Sequence, residues 1–248
     1  MAGHSQFKNI MYRKGAQDAK KAKIFSKISR EITVAVKSGG AVVESNAKLK
    51  AILINARAEN MPKDNIDRAI KKALGSGDDS DYAEVRYEGY GPGGVAIIVE
   101  ALTDNKNRTA PEIRSIFNKH GGTLGETGSV SFQFQHIGFI EYKNTIDEFE
   151  KFWEFAVESG AADVIDTEGT YDVLCEISDL SSVRDILIEK YGDPSSCKVI
   201  WKPINTITVD DNTATTIFKL IDALEDNDDV QSVTANYEVS DSFLEQVK

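Results

Sequence analysis

The sequence predicts an α+β protein: an N-terminal three-helix domain followed by two ferredoxin-like α/β domains, one inserted into the other. Three observations carry this expectation. Apolar residues recur at helical spacing through residues 17–74. A polar, Gly-rich, acidic stretch, GSGDDSD at 75–81, then marks a linker. Beyond it strands and helices alternate, and the order β-α-β-β-α-β occurs twice, one copy interrupting the other. The expected domains are 1–80, a basic helical domain with an arm; 81–135 plus 204–248; and the insert, 136–203.

Each element follows from its pattern. Residues 1–16 lack periodicity and form an arm. In 17–37, Ile24, Phe25, Ile28, Ile32, Ala35 and Val36 make one apolar stripe, and Gly39-Gly40 ends the helix. A second helix covers 46–59, with Leu49, Ile52, Leu53 and Ala56 facing inward. NMPKDN makes a turn, and Pro62 suits the first turn of a third helix, 63–74. A short strand at 84–90 and a Gly-Pro-Gly-Gly turn precede the outer domain. That domain comprises strand 95–102, helix 110–119 with a Thr109/Glu112 capping box, strands 129–135 and 205–209, helix 212–225 and strand 230–238. The insert comprises strand 137–142, helix 146–158, strands 162–166 and 171–177, helix 180–190 and strand 198–202.

Charge is distributed unevenly. The 248 residues carry a formal net charge of −11, yet residues 1–75 hold 16 Lys or Arg against six Asp or Glu. The remainder, residues 76–248, has a net charge of −21. A basic end attracts polyanions and an acidic body repels them. The body, with the cluster LEDNDD at 224–229, leaves room for a basic protein partner. No apolar run is long enough to span a bilayer, so no membrane partner is expected. The start lacks the apolar stretch of a secretory signal, which suggests a cytoplasmic protein; a basic, acid-poor start also fits a transit peptide.

Catalytic chemistry is not expected. Gly-x-Ser-x-Gly, His-Glu-x-x-His and P-loop motifs are absent from the sequence. The glycines at 121, 122, 125 and 128 resemble a phosphate cradle but have the spacing of caps and turns. Cys175 and Cys197 form no Cys-x-x-Cys pair, and His4, His120 and His136 are scattered, so neither a metal nor a cofactor is expected. Phe132 and Phe134 share one face of the strand expected at 129–135. Core packing accounts for them more simply than base stacking, because no cations surround them.

The candidate nucleic-acid-binding residues are therefore Lys8, Arg13, Lys14, Lys20, Lys21, Lys23, Lys27 and Arg30. Few acids are interleaved to pair with them, and Lys and Arg gain affinity for phosphates through counterion release. Additional candidates are His4, Ser5, Asn9, Arg68, Lys71 and Lys72. Helices 46–59 and 63–74 have the spacing of a helix-turn-helix, but Asp64 and Asp67 sit where base-reading residues would approach DNA. No dimerisation heptad is visible, and a monomer is expected.

Several long segments resemble the YebC/PmpR family over essentially the whole chain: MAGHS, DAKKAKIFSKISREI (18–32), NMPKDNIDRAIKKA (60–73), YEGYGPGGVAIIVEALTDNKNRT (87–109), GGTLGETGSVSFQF (121–134) and DALEDNDDVQSV (222–233). Positions 6–7 read Gln-Phe where many relatives carry Lys-Trp, so the aromatic is kept. The resemblance implies three domains and a non-enzymatic role in gene expression. Bacterial relatives are described as transcriptional regulators that bind promoter DNA; others, including mitochondrial translational activators, act with the ribosome. The resemblance therefore leaves DNA and rRNA open as targets. It also draws attention to the NKNRT loop, adding Asn105, Asn107 and Arg108 as candidates.

Overall fold

A computed structural model describes residues 17–75, 82–240 and 243. The arm expected over 1–16 and nearly all of the expected linker lie outside these residues. The described elements run in chain order as helices α1 (Gln17–Gly39), α2 (Ala47–Ala58) and α3 (Lys63–Leu74), strands β1 (Ala83–Tyr90) and β2 (Ala96–Thr103), α4 (Lys106–Lys119), β3 (Thr123–Leu124), β4 (Phe134–Lys143), α5 (Phe149–Glu158), β5 (Asp163–Thr167), β6 (Thr170–Cys175), α6 (Leu180–Tyr191), β7 (Ser196–Pro203), β8 (Ile207–Thr208), α7 (Asp211–Asp226), β9 (Val230–Ala235) and β10 (Tyr237–Glu238). The protein is α+β, with a helical N-terminal region followed by sheet-containing segments.

The chain forms two compact units. One holds the described residues up to Lys23, those from 82 to Gln135 and those from Trp201 onward; the other holds residues 24–75 and His136–Ile200. The N-terminal helices thus share a unit with residues 136–200.

In that second unit, the apolar stripe of α1 packs as the sequence requires. Ile28, Ile32, Ala35 and Val36 are buried with Leu49, Ile52, Leu53 and Ala56 of α2 and Ala69 of α3. Asn46 fixes the turn between α1 and α2. Its Oδ1 accepts from Leu49 N at 2.9 Å, capping α2, while Nδ2 donates to Ala35 O and Gly40 O at 2.8 Å each. The unit's four-stranded sheet has the order β5-β6-β4-β7, which is the ferredoxin-like order. Phe152, Ala156, Val183 and Leu187 of its two helices pack on Ile140, Tyr142 and Val173 of its strands.

The first unit builds a sheet of order β3-β1-β2-β9, in which β1 pairs antiparallel with β2 and β3, and β2 with β9. Ile97 and Val99 of β2 face Ile113 and Phe117 of α4 and Ile217, Leu220 and Leu224 of α7. On the opposite face Ala96 and Ile98 meet Val130, Phe134 and Trp201.

Two strands depart from expectation. Residues 205–209 do not enter this sheet. Only Ile207–Thr208 forms a strand, and it pairs in parallel with Tyr237–Glu238. Its expected place beside β2 is taken by β1, which reaches β2 through a short connection with Gly93 and Gly94 at φ 72° and 76°. A local hairpin loses less closure entropy than a distant pairing. Residues 131–133 form a 3₁₀ turn rather than a strand. The cause is Glu88, whose Oε2 accepts from Val130 N and Ser131 N at 2.9 Å each, removing donors a strand ladder would have used. Phe132 and Phe134 consequently part: Phe132 is 69% exposed and Phe134 only 5%.

Candidate nucleic-acid interface

Lys8, Arg13, Lys14, His4, Ser5 and Asn9 lie outside the described residues. Lys20 falls within α1, but its side chain lies outside the description. Lys21 is exposed; Lys23, Lys27 and Arg30 are half-buried.

Lys23 has an internal partner. Its Nζ bonds the main-chain oxygen of Asp226 and lies 3.1 Å from Asp226 Oδ1. Asp226 is the last residue of α7, where a carboxylate opposes the helix dipole and a cation offsets it. Part of the positive charge assigned to nucleic acid is therefore engaged by the acidic turn itself. The same turn makes two further contacts: Asn227 Nδ2 donates to Glu112 Oε2 at 2.8 Å, and Asp229 Oδ2 accepts from Arg108 Nη2 at 2.7 Å.

Helix α3 offers a different surface. Arg68, Lys71 and Lys72 are all exposed, and their i, i+3, i+4 spacing places them on one face. Lys63 and Asp64 are exposed at the helix start, and Asp67 is half-buried. The basic face thus occupies the C-terminal half of α3. That position suits phosphate contact and not insertion of the helix start among bases.

The NKNRT loop is built as a structural joint. Asn105 caps α4, accepting from Arg108 N at 3.1 Å. The helix therefore starts at Lys106, three residues before the expected Thr109 cap. Thr109 turns inward, and its Oγ1 donates to Asp229 Oδ2 at 2.7 Å, so no Thr109/Glu112 capping box forms. Arg108 pairs with Asp104 at 3.0 Å and with Asp229. Burial alone would raise the Asp229 carboxyl; hydrogen bonds from Arg108, Thr109 and Thr103 outweigh it and hold the group below its ordinary value. Of the three candidates from this loop, Asn107 alone is exposed without a described structural role here.

The glycine-rich loop at 121–128 is likewise satisfied from within. Gly125 N donates to Glu88 O at 2.8 Å, and Gly128 N–H faces the carboxylate of buried Glu88. Burial pushes its carboxyl up, but the N–H groups of Val130, Gly128 and Ser131 and the nearby Arg86 bring it below the ordinary glutamate value. The loop thus holds an internal carboxylate, and the 3₁₀ turn that follows it projects Phe132 into solvent. Sequence reading missed this pair, because a lone Glu in a strand carries no pattern that reveals its partners.

Among the described residues no group of three or more His, Cys, Asp or Glu could hold a metal ion, and no helix is long and apolar enough to cross a membrane. Cys175 and Cys197 are buried free thiols, and burial first of all pushes each up to about 11.

Comparisons with known proteins bear on the family and the fold. Residues 5–76 match a family model described as the TACO1/YebC protein N-terminal domain, and residues 82–237 match one described as the TACO1/YebC second and third domain. The fold is similar to the crystal structure of a conserved hypothetical protein from Aquifex aeolicus, at a TM-score of 0.82 and 43% identity, over 90% of this chain and 93% of that one.

Proposed function

The chain belongs to the TACO1/YebC family, and from that premise we propose that it is a non-catalytic, nucleic-acid-binding regulator of gene expression that acts on structured RNA during translation. The observation that carries the reading is the basic face of α3. Arg68, Lys71 and Lys72 lie along its C-terminal half while Asp64 and Asp67 occupy its start. Such a face tracks phosphates and does not read base edges, as recognition by backbone shape requires. The cations of residues 1–30 add counterion release. The acidic remainder is repelled by the same polyanion, so the basic segment leads.

A second reading, a DNA-binding transcriptional regulator, is favoured by one observation. Helices α2 and α3 are joined by a four-residue turn, Glu59 to Pro62, of helix-turn-helix length. In that reading the same cations anchor a duplex.

Gradient sedimentation of cell lysate tests both. The native chain is run with and without nuclease and at raised salt, beside an Arg68→Ala/Lys71→Ala variant. Co-migration with ribosomal particles that falls with nuclease, salt and charge removal is the expected result. A chain that stays in light fractions and recovers specific DNA fragments would establish the second reading.

A further inference from the structure

The nucleic-acid reading leaves the acidic part of the chain without a task. Residues 136–200 carry 15 Asp or Glu against five Lys or Arg. Within them, α5 has two distinct faces. Phe152 and Ala156 are fully buried, with Phe149 and Phe155 packed beside them. Glu150, Trp153, Glu154 and Val157, spaced i, i+3, i+4 and i+7, make a stripe on the outer face. Trp153 is 44% exposed and Val157 37%.

This stripe differs from an ordinary solvated face in two ways. Phe149, Glu150, Trp153 and Glu154 border an open hollow of about 340 Å³. The acids beside the tryptophan also form no ion pair among the described residues. Lys151 lies 2.9 Å from Glu148, and among the described residues no cation forms an ion pair with Glu150, Glu154 or Glu158.

We propose that the outer face of α5 docks a Lys/Arg-rich segment of a partner protein that carries an apolar side chain next to its cations. The apolar side chain enters the hollow against Trp153. The cations lie between Glu150, Glu154 and Glu158, where the tryptophan ring adds cation–π attraction. Charge complementarity selects this occupant. Nucleic acid and anionic membrane surfaces are repelled by the three carboxylates. This surface is independent of the α3 face, and either assignment can fail without the other.

The test uses the full chain and a short synthetic peptide of alternating Lys and Leu. A peptide of alternating Glu and Leu and an RNA oligonucleotide serve as controls. Tryptophan emission and calorimetry report binding. We expect saturable binding of the Lys–Leu peptide with a shift of tryptophan emission. Affinity should fall about tenfold in Glu150→Gln/Glu154→Gln and by a similar factor in Trp153→Ala, with unchanged helical circular dichroism in both. Binding that is equal in either variant, or equal for the Glu–Leu peptide, overturns the proposal. So does quenching of Trp153 by RNA. A native chain that sediments as a dimer and reverts to a monomer on Trp153→Ala substitution would give the face to a second copy, and also overturns it.

Discussion

Asn55 and Cys197 exchange two hydrogen bonds: Asn55 Nδ2 donates to Cys197 O at 2.9 Å, and Cys197 N donates to Asn55 Oδ1 at 2.8 Å. A primary amide of this shape reproduces both contacts of a neighbouring strand. Cys197 lies in β7, at the edge of its sheet, so a single helix side chain occupies part of an edge that would otherwise present free donors and acceptors. Lys50 and Arg57 of the same helix pair with Asp185 at 2.8 Å and Asp193 at 2.7 Å.

Removing the amide should therefore cost more than the surface ion pairs around it. Asn55→Ala leaves a main-chain N–H and a carbonyl of a buried residue without partners, and should lower unfolding free energy by about 2–3 kcal/mol in urea titration. Arg57→Ala, which breaks an exposed pair, should cost less than about 1 kcal/mol.

Asp229 gives a pH signature. Its folded carboxyl titrates below the ordinary value of 3.8. Its contribution is thus fully present above that value and disappears as pH falls through the folded value. Native stability should decline below about pH 4. Asp229→Asn should be less stable by about 3 kcal/mol at pH 7 and should lose this part of the acid dependence. Chemical denaturation at a series of pH values measures both.

Glu88 makes a local prediction. With its carboxylate removed in Glu88→Ala, the Val130 and Ser131 amides lose their acceptor. Hydrogen exchange at these two amides should accelerate on the order of 100-fold, with β2 amides far less affected. Equal acceleration throughout the sheet would mean that Glu88 supports the whole unit and not the loop alone.

The thiols supply a reactivity test. Burial holds Cys175 and Cys197 up to about 11, so at pH 8 neither is appreciably a thiolate in the folded chain. A thiol-reactive chromophore should label neither on the minute scale. Urea should expose both, raising the rate by more than about 100-fold.

Nucleic-acid binding should respond to the α3 cations as charge and not as sequence readout. Arg68→Ala/Lys71→Ala should reduce the slope of log affinity against log salt by about 1.5 and weaken unrelated sequences equally. A loss confined to one sequence would instead place these residues on base edges.

The helical stripes and the inserted sheet were legible because their apolar periods are long and local. The stripe from Ile24 to Val36 identifies its helix, and the order of elements in 137–202 gives the topology of β4 to β7. What stayed hidden depended on single polar residues acting at a distance. Glu88 converts an expected strand into a turn through residues more than 40 positions away. Asp229 draws Arg108 into an ion pair in the loop that the family resemblance had added to the candidates. Of the basic candidates, Lys23 is partly engaged by Asp226, whereas Arg68 and Lys71 stand exposed on one face, a difference that charge counting does not make.

The position of β2 has a consequence for biosynthesis. Its first neighbour, β1, has already been made when β2 emerges, but Ile97 must wait for Ala235. At ~5–20 residues per second, that wait lasts on the order of ten seconds. Throughout it the nascent chain carries a one-sided ribbon whose open edge is the apolar run VAIIVEAL. The β4–β7 sheet finishes first, within that interval. Nascent chains paused between residues 203 and 230 are thus the species most prone to aggregate and most dependent on chaperones, and folding of the first unit is limited by when its last strand is delivered.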